Sequence, residues 1–292
     1  MRVAFLGFGL IGGSMARALR ASAEAGTELV AWSPSGAGPR LAVADGVLDL
    51  AAATPEEAID SASVVVLAAS PVDCLTLLDG LGGPWRTALD PEATVTDVAS
   101  TKAAIVARAS ALGVPFVGGH PMAGRETSGY EASTADLFVD RPWIVVPAAT
   151  ATTRDVATVE RMARDCGARP LTMDAATHDA AVAGISHLPL VLAAALVEAV
   201  AIGDGDPAAK GRPFIPDLSA GGWRDMTRLA RGDVSMGAGI AATNAAALAD
   251  RIRDLQAVLD GWLRDLEASG GPDAAAITAR LAAARGRLAE LD

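Results

Sequence analysis

An α/β domain with a mainly parallel sheet, followed by an all-helical domain, is predicted by three features of this sequence. Short β-branched runs alternate with helical patterns through the first half. A glycine cluster stands directly behind the first run and opens a helix. Beyond about Thr152 the strand signals stop, and apolar residues recur at helical spacing.

The elements follow in order. Val3–Leu6 reads as a strand, about Ile11 to Ala25 as a helix, and Leu29–Trp32 as a second strand. Thr54-Pro55-Glu56-Glu57 combines an N-cap, a first-turn proline and two acids, which starts a helix. Val64–Leu67 is apolar throughout, as a central parallel strand should be. Thr94–Asp97, Phe116-Val117 and Trp143–Val146 supply further strands. The pattern changes near Pro147, so the expected domains are 1–150 and 151–292. In the second, Gly203 to Pro216 reads as a loop. Leu248, Ile252, Leu255, Leu259, Leu263 and Leu266 form one stripe on a long helix, and a last helix ends at Leu288. The run from Leu188 to Val200 is apolar on nearly every side. Such a helix must be buried all round, which makes it a candidate subunit interface.

Composition bounds the function. The 292 residues are 51% hydrophobic, enough for two modest cores. The net charge of −11, with no strongly basic stretch, argues against nucleic acid. Lys102 and Lys210 are the only lysines. Cys74 and Cys166 form no metal spacing or disulfide framework and suit a reducing cytoplasm, and three histidines are too few for a His-rich metal site. Gly7 and Gly9 break the first apolar run, so no signal peptide is expected. His187, Pro189 and Glu198 interrupt the run Ile185–Ile202, which argues for a buried helix rather than a membrane span.

Gly7-Phe8-Gly9-Leu10-Ile11-Gly12 follows a strand and opens a helix, the context that separates a dinucleotide fingerprint from a chance GxGxxG. Gly7 permits the tight turn, Gly9 a close approach to pyrophosphate, and Gly12 close helix–strand packing. Leu10 and Ile11 offer backbone at the helix start, where phosphates bind. The second strand should end on an acid for the ribose hydroxyls of NAD. It ends instead on Trp32-Ser33-Pro34-Ser35, with Arg40 close behind. Either Ser33 and Arg40 accept a 2′-phosphate, making the cofactor NADP, or Ser33 caps a turn and NAD binds through other contacts. Ser70, after the Val64–Leu67 strand, is a further cofactor-side candidate.

His120, in Gly118-Gly119-His120-Pro121-Met122-Ala123-Gly124, follows a short strand at the carboxyl edge where open α/β sheets bind ligands. Ser100 occupies the equivalent place after Thr94–Asp97. A histidine there takes a hydroxyl proton as the carbon loses hydride, and a serine fixes its tautomer. The plainer reading is a loop-bonding histidine and a helix-capping serine. His187, taken alone, reads as a satisfied core histidine, and His178 as a surface or packing residue. Arg228, in Gly221-Gly222-Trp223-Arg224-Asp225-Met226-Thr227-Arg228, suits a bidentate carboxylate clamp, against a plain surface arginine.

Together these segments resemble the prephenate/arogenate dehydrogenase family of tyrosine biosynthesis. The resemblance rests on Gly7–Ser14, Asp97–Lys102, Gly118–Gly124, Ile185–Pro189 and Gly221–Arg228, in the family's order and covering most of the chain. It implies a Rossmann domain, a helical dimerisation domain and an active site between them. It implies that His120 is the catalytic histidine, Ser100 orients it, Arg228 holds the substrate ring carboxylate, and His187 contacts substrate. Arg224 and Gly221 belong to the same substrate-side segment. The implied reaction is oxidative decarboxylation of prephenate to 4-hydroxyphenylpyruvate with hydride transfer to NAD or NADP, or of arogenate to tyrosine, in a cytoplasmic homodimer without metal. The chain departs from the pattern at Gly237, where a tryptophan is frequent, at Ala245 after Asn244, where an arginine is frequent, and in the missing second-strand acid. No regulatory or fused domain is expected. A β-hydroxyacid dehydrogenase is the weaker enzyme alternative, because it needs a helical-domain lysine and only Lys210 is there. A non-catalytic nicotinamide sensor would have no use for His120, Ser100 and Arg228 together.

Overall fold

A computed structural model describes residues 1–22, 26–125, 127–202 and 216–291. Lys210 and the expected loop at 203–215 lie outside the described residues. The chain runs β1 (Arg2–Leu6), α1 (Leu10–Ser22), β2 (Glu28–Trp32), α2 (Ala37–Ala44), β3 (Leu50–Ala51), α3 (Pro55–Ile59), β4 (Val64–Leu67), α4 (Pro71–Gly82), β5 (Thr94–Asp97), α5 (Ala103–Ala111) and β6 (Phe116–Pro121). It continues with β7 (Pro142–Pro147), α6 (Thr153–Asp165), β8 (Arg169–Thr172), α7 (Ala175–Val182), α8 (Leu188–Val197), α9 (Gly221–Thr227), α10 (Val234–Thr243), α11 (Ala245–Leu266) and α12 (Ala274–Ala289).

Among the described residues, eight strands form one sheet in the order β3-β2-β1-β4-β5-β6-β7-β8. All neighbours are parallel except β6 and β7. β4, Val-Val-Val-Leu, is fully buried between β1 and β5. Period-two alternation feeds both faces: Val3, Phe5, Val64 and Val66 join the cluster containing Met15 and Trp143. Ala4, Leu6, Val65 and Leu67 join the one containing Leu78 and Ile105. The expected cap holds, since the Thr54 side chain accepts the Glu57 N–H at the start of α3. Thr152 and Asp155 form a reciprocal capping box on α6.

The structure departs from expectation in four places. β3 has only two residues, too few to read from pattern. β8 lies beyond Pro147, so the sheet extends to Thr172 and past the division expected at residue 150. Pro170 hides it, but β8 is a sheet edge, where proline is tolerated. β6 does not stop at Val117: Gly118–Pro121 pair with Trp143–Val146 of antiparallel β7, so His120 is the penultimate residue of a strand rather than part of a following loop. Finally, the apolar helix is not buried all round within one chain. Ala175–Ala201 is long and apolar enough to cross a membrane by length and composition, and only 22% of its most apolar window is buried. Its polar residues His178, Asp179 and His187 turn inward instead, while Ile185 is 72% exposed.

The chain divides into two compact units, Met1–Ala245 and Ala246–Asp292. The first holds the sheet and α1 to α10. In the second, the Arg280 guanidinium pairs with Asp265 and lies 5.8 Å from the Trp262 ring centroid. Leu259, Leu263 and Leu266 of the predicted stripe are about half exposed there.

Candidate active site

Parallel strands place their carboxyl ends along one edge, and the sequence candidates gather there. Gly7 follows β1, Ser33 follows β2, Ser70 follows β4, Ser100 follows β5, and His120 is the penultimate residue of β6. Gly7 has φ of +87°, and an added Cβ would meet the Ala68 carbonyl oxygen at 2.5 Å, so only glycine makes this turn. A Cβ on Gly12 would press on Ala68 Cβ at 3.0 Å. A Cβ on Gly9, by contrast, meets nothing within 4 Å. Open space therefore lies over the backbone at the start of α1, beside Leu10 and Ile11. The segment after β6 returns to this loop: Tyr130 stacks on Phe8, with ring centroids 5.6 Å apart, and donates its hydroxyl to Asp45 Oδ2 at 2.9 Å.

His120 is held by a chain of buried hydrogen bonds. Its Nδ1 lies 2.8 Å from Nε2 of His178, whose Nδ1 lies 2.7 Å from Oδ1 of Asp179. A carboxylate only accepts, so His178 donates from Nδ1. With both rings neutral, His178 Nε2 accepts and His120 Nδ1–H donates. His120 Nε2 then carries the lone pair, and it has no hydrogen-bond partner among the described residues. The same Asp179 carboxylate accepts the backbone N–H of Lys102 at 2.8 Å and of Ala103 at 2.9 Å, which anchors it to the start of α5. Burial works against the Asp179 anion, but the His178 bond and these two amides outweigh it and hold the carboxyl below its ordinary range. Burial, then the Lys102 ammonium and the two other histidines, hold His120 well below the ordinary histidine value.

A π turn aims His187 into the same cluster. It stands nine positions after His178. At about 3.6 residues per turn that is two and a half turns, the opposite face of an unbroken α-helix. The wider π turn at Ala183–His187 winds less per residue and swings the ring back. Asn244 Nδ2 then donates to the Asp179 carbonyl at 2.8 Å and to His187 Nδ1 at 3.1 Å. The proton of His187 is left on Nε2, which is buried and faces the Ser100 carbonyl without a well-formed hydrogen bond among the described residues. Burial lowers the His187 pKa, with the Asp179 charge opposing. Behind His120, the Lys102 ammonium pairs with the Asp97 carboxylate, both fully buried. Asp97 also accepts the Gly119 and Ala99 N–H groups at 3.0 Å each, which ties β5 to β6.

The remaining candidates are more dispersed. Ser100 is half-buried and makes no hydrogen bond to His120; His178 holds the ring instead. Ser70 caps α4, accepting the Asp73 N–H at 3.2 Å and donating to Asp73 Oδ2 at 2.6 Å, so its hydroxyl is committed there. Gly221 opens α9, Arg224 lies on it, and Arg228 starts a short 3-10 turn, Arg228–Arg231, that packs against α8; all three are exposed. No group of three or more His, Cys, Asp or Glu among the described residues could hold a metal. His178, expected from sequence to be a surface or packing residue, is instead buried and bonded to His120, while Asp179 and Asn244 are not singled out by the sequence reading. The available signal was the His-Asp pair nine and eight residues before His187.

Residues 15–172 match the family model described as prephenate dehydrogenase, nucleotide-binding domain, and residues 174–269 match prephenate dehydrogenase, dimerization domain. The chain belongs to the prephenate dehydrogenase family. It is 29% identical over 265 residues to prephenate dehydrogenase of Bacillus subtilis, covering 89% of this chain and 67% of that protein. The structure of Aquifex aeolicus prephenate dehydrogenase in complex with hydroxyphenyl propionate and NAD+ superposes with a TM-score of 0.87 at 26% identity, covering 100% of this chain and 98% of the other. Synechocystis arogenate dehydrogenase matches with a TM-score of 0.76 at 30% identity, covering 99% and 100%. Membership of the prephenate dehydrogenase family makes the chain a dehydrogenase, with an N-terminal nucleotide-binding domain and a helical dimerisation domain.

Proposed function

We propose that this chain catalyses the NAD-dependent oxidative decarboxylation of prephenate to 4-hydroxyphenylpyruvate, with arogenate as the alternative substrate. The observation that carries the reading is His120, whose Nδ1 is donated to His178 while its Nε2 is left as an acceptor at the carboxyl edge of the sheet. NAD in the Aquifex complex and the open space over Gly9 support dinucleotide binding at Gly7–Gly12.

When bound, the nicotinamide accepts the hydride that leaves the ring carbon. In this reading His120 Nε2 draws the proton from the hydroxyl on that carbon, and Asp179 stabilises the cation through His178. In this reading the buried Nε2–H of His187, which has only a poorly formed contact to the Ser100 carbonyl, donates to a substrate oxygen. Arg228, with Arg224 and the Gly221 segment nearby in sequence, holds the ring carboxylate until it leaves as carbon dioxide. Ser100, at the end of β5, is kept as a substrate-side candidate, although His178 rather than Ser100 orients His120. Little more is required than orientation and one positioned base, because aromatisation drives the reaction.

Turnover of purified protein with prephenate and arogenate, each with NAD and NADP, tests the reading; no oxidation of either substrate would overturn it. We also place the enzyme in the cytoplasm as a homodimer. The half-exposed leucines of α11 and the exposed apolar side of the α8 region support a second copy as their cover. A monomer mass by light scattering at micromolar concentration would remove that part.

A further inference from the structure

We infer that the turn after β2 is built to receive the 2′-phosphate of an adenosine ribose, so that the chain binds NADP at least as tightly as NAD. The inference rests on the dinucleotide reading of Gly7–Gly12 and deepens it.

The turn stands where that ribose must lie. Leu6 pairs with Trp32 in the sheet, and the Gly7 N–H donates to the Trp32 carbonyl at 2.8 Å, so the end of β2 is tied to the glycine loop. In folds of this kind a carboxylate here takes the ribose hydroxyls and repels a 2′-phosphate, whereas a nearby arginine accommodates one. From Ser33 to Ala44 there is no acid. The next, Asp45, is at the far end of α2 and is engaged by Tyr130 Oη at 2.9 Å and Arg17 Nη2 at 3.0 Å.

What the turn presents is a set of donors. Ser33 Oγ accepts the Gly36 N–H at 3.2 Å, and Ser35 Oγ accepts the Ala37 N–H at 3.3 Å. Each hydroxyl oxygen is occupied as an acceptor, which leaves its O–H to donate outward. Arg40 folds back over the turn, its Nη2 donating to the Ser35 carbonyl at 3.2 Å. Gly36 has φ of +63°, and a side chain there would run into Arg40 Nη1. A glycine therefore makes the turn and leaves the guanidinium room to lie across it. Arg40 forms no ion pair among the described residues. One cation and two hydroxyl protons meet in one turn with no anion to match them, which is the complement of a phosphate dianion.

Isothermal titration of the intact protein with adenosine 2′,5′-bisphosphate and AMP, then with NADP and NAD, tests this directly. The bisphosphate should bind about tenfold or more tightly than AMP, and NADP at least as tightly as NAD. Arg40→Ala should weaken NADP and the bisphosphate by roughly ten- to hundredfold while leaving NAD and AMP within about twofold. Ser33→Asp should turn the preference toward NAD. Circular dichroism melting checks that both variants stay folded. Wild-type protein that binds NAD while NADP is much weaker overturns this inference alone. An Arg40→Ala variant that loses both cofactors equally does the same. Protein that binds neither overturns the inference together with the dinucleotide reading beneath it.

Discussion

Nδ1 of His120 and Nε2 of His178 lie 2.8 Å apart, inside a buried cluster. The contact joins β6 to α7, and so fixes the proposed base from the helical segment rather than from its own sheet. Asp179 closes the chain while capping α5. Position, tautomer and charge of one imidazole are thus set by side chains that never approach its Nε2.

Asp179→Asn tests this dependence. An amide still accepts a hydrogen bond but supplies no negative charge to a forming imidazolium. Turnover should fall by on the order of 10² with little change in the Michaelis constant. The acid limb of kcat/KM should also move to lower pH, a shift that a merely structural role would not cause. A variant with wild-type turnover and an unmoved limb would take Asp179 out of the chemistry.

His120→Asn removes the base itself. Turnover should drop by roughly 10²–10⁴, while cofactor and substrate binding stay near wild type. Titration of substrate onto the variant in the presence of cofactor separates the two effects. Near wild-type turnover at neutral pH would move the base elsewhere.

The strands, the glycine turn and the sheet-edge position of His120 were legible because they depend on local pattern: apolar runs, positive-φ glycine, and elements in alternation. β8 was not, since Pro170 reads as a break and only edge position excuses it. The His120–His178–Asp179 chain was not legible either. It depends on β6 running on through Pro121 and on α7 docking against α5, both of which are tertiary facts. The placement of His187 needed a π turn, which no 3.6-residue periodicity reveals. The family resemblance found His187 by motif, and the geometry adds the reason it can face His178.

Two buried histidines with lowered pKa values set a sign for stability against pH. His120 and His187 are both held below the ordinary value near 6.5, so the unfolded chain binds their protons first. Their stabilising contribution is present above about pH 6.5 and is lost as pH falls through the folded values. Melting temperature should therefore be flat above neutrality and begin to decline below about pH 6.5. In the same way, kcat/KM should stay level through neutral pH, because free His120 is already neutral there. An acid limb at or above the ordinary histidine value would contradict the burial seen at His120.

Arg228→Ala separates substrate from cofactor roles in the helical segment. Arg228 is exposed on the 3-10 turn against α8, well after the glycine loop in sequence. If it holds the ring carboxylate, the lost contact is charge-assisted and bidentate, worth roughly 1.5–3 kcal/mol. At about 1.4 kcal/mol per decade, the Michaelis constant should rise roughly ten- to hundredfold. The carboxylate it holds is the group that departs as carbon dioxide. A clamp that gripped it harder in the transition state would oppose its loss, so ground-state binding should suffer more than turnover. Arg228→Lys should recover only part of the affinity, because an ammonium cannot reproduce the two-pronged fork. NAD affinity, measured by titration without substrate, should not change. A variant that kept its substrate constant and lost cofactor affinity instead would put Arg228 on the nucleotide side and reverse the proposed orientation of the substrate.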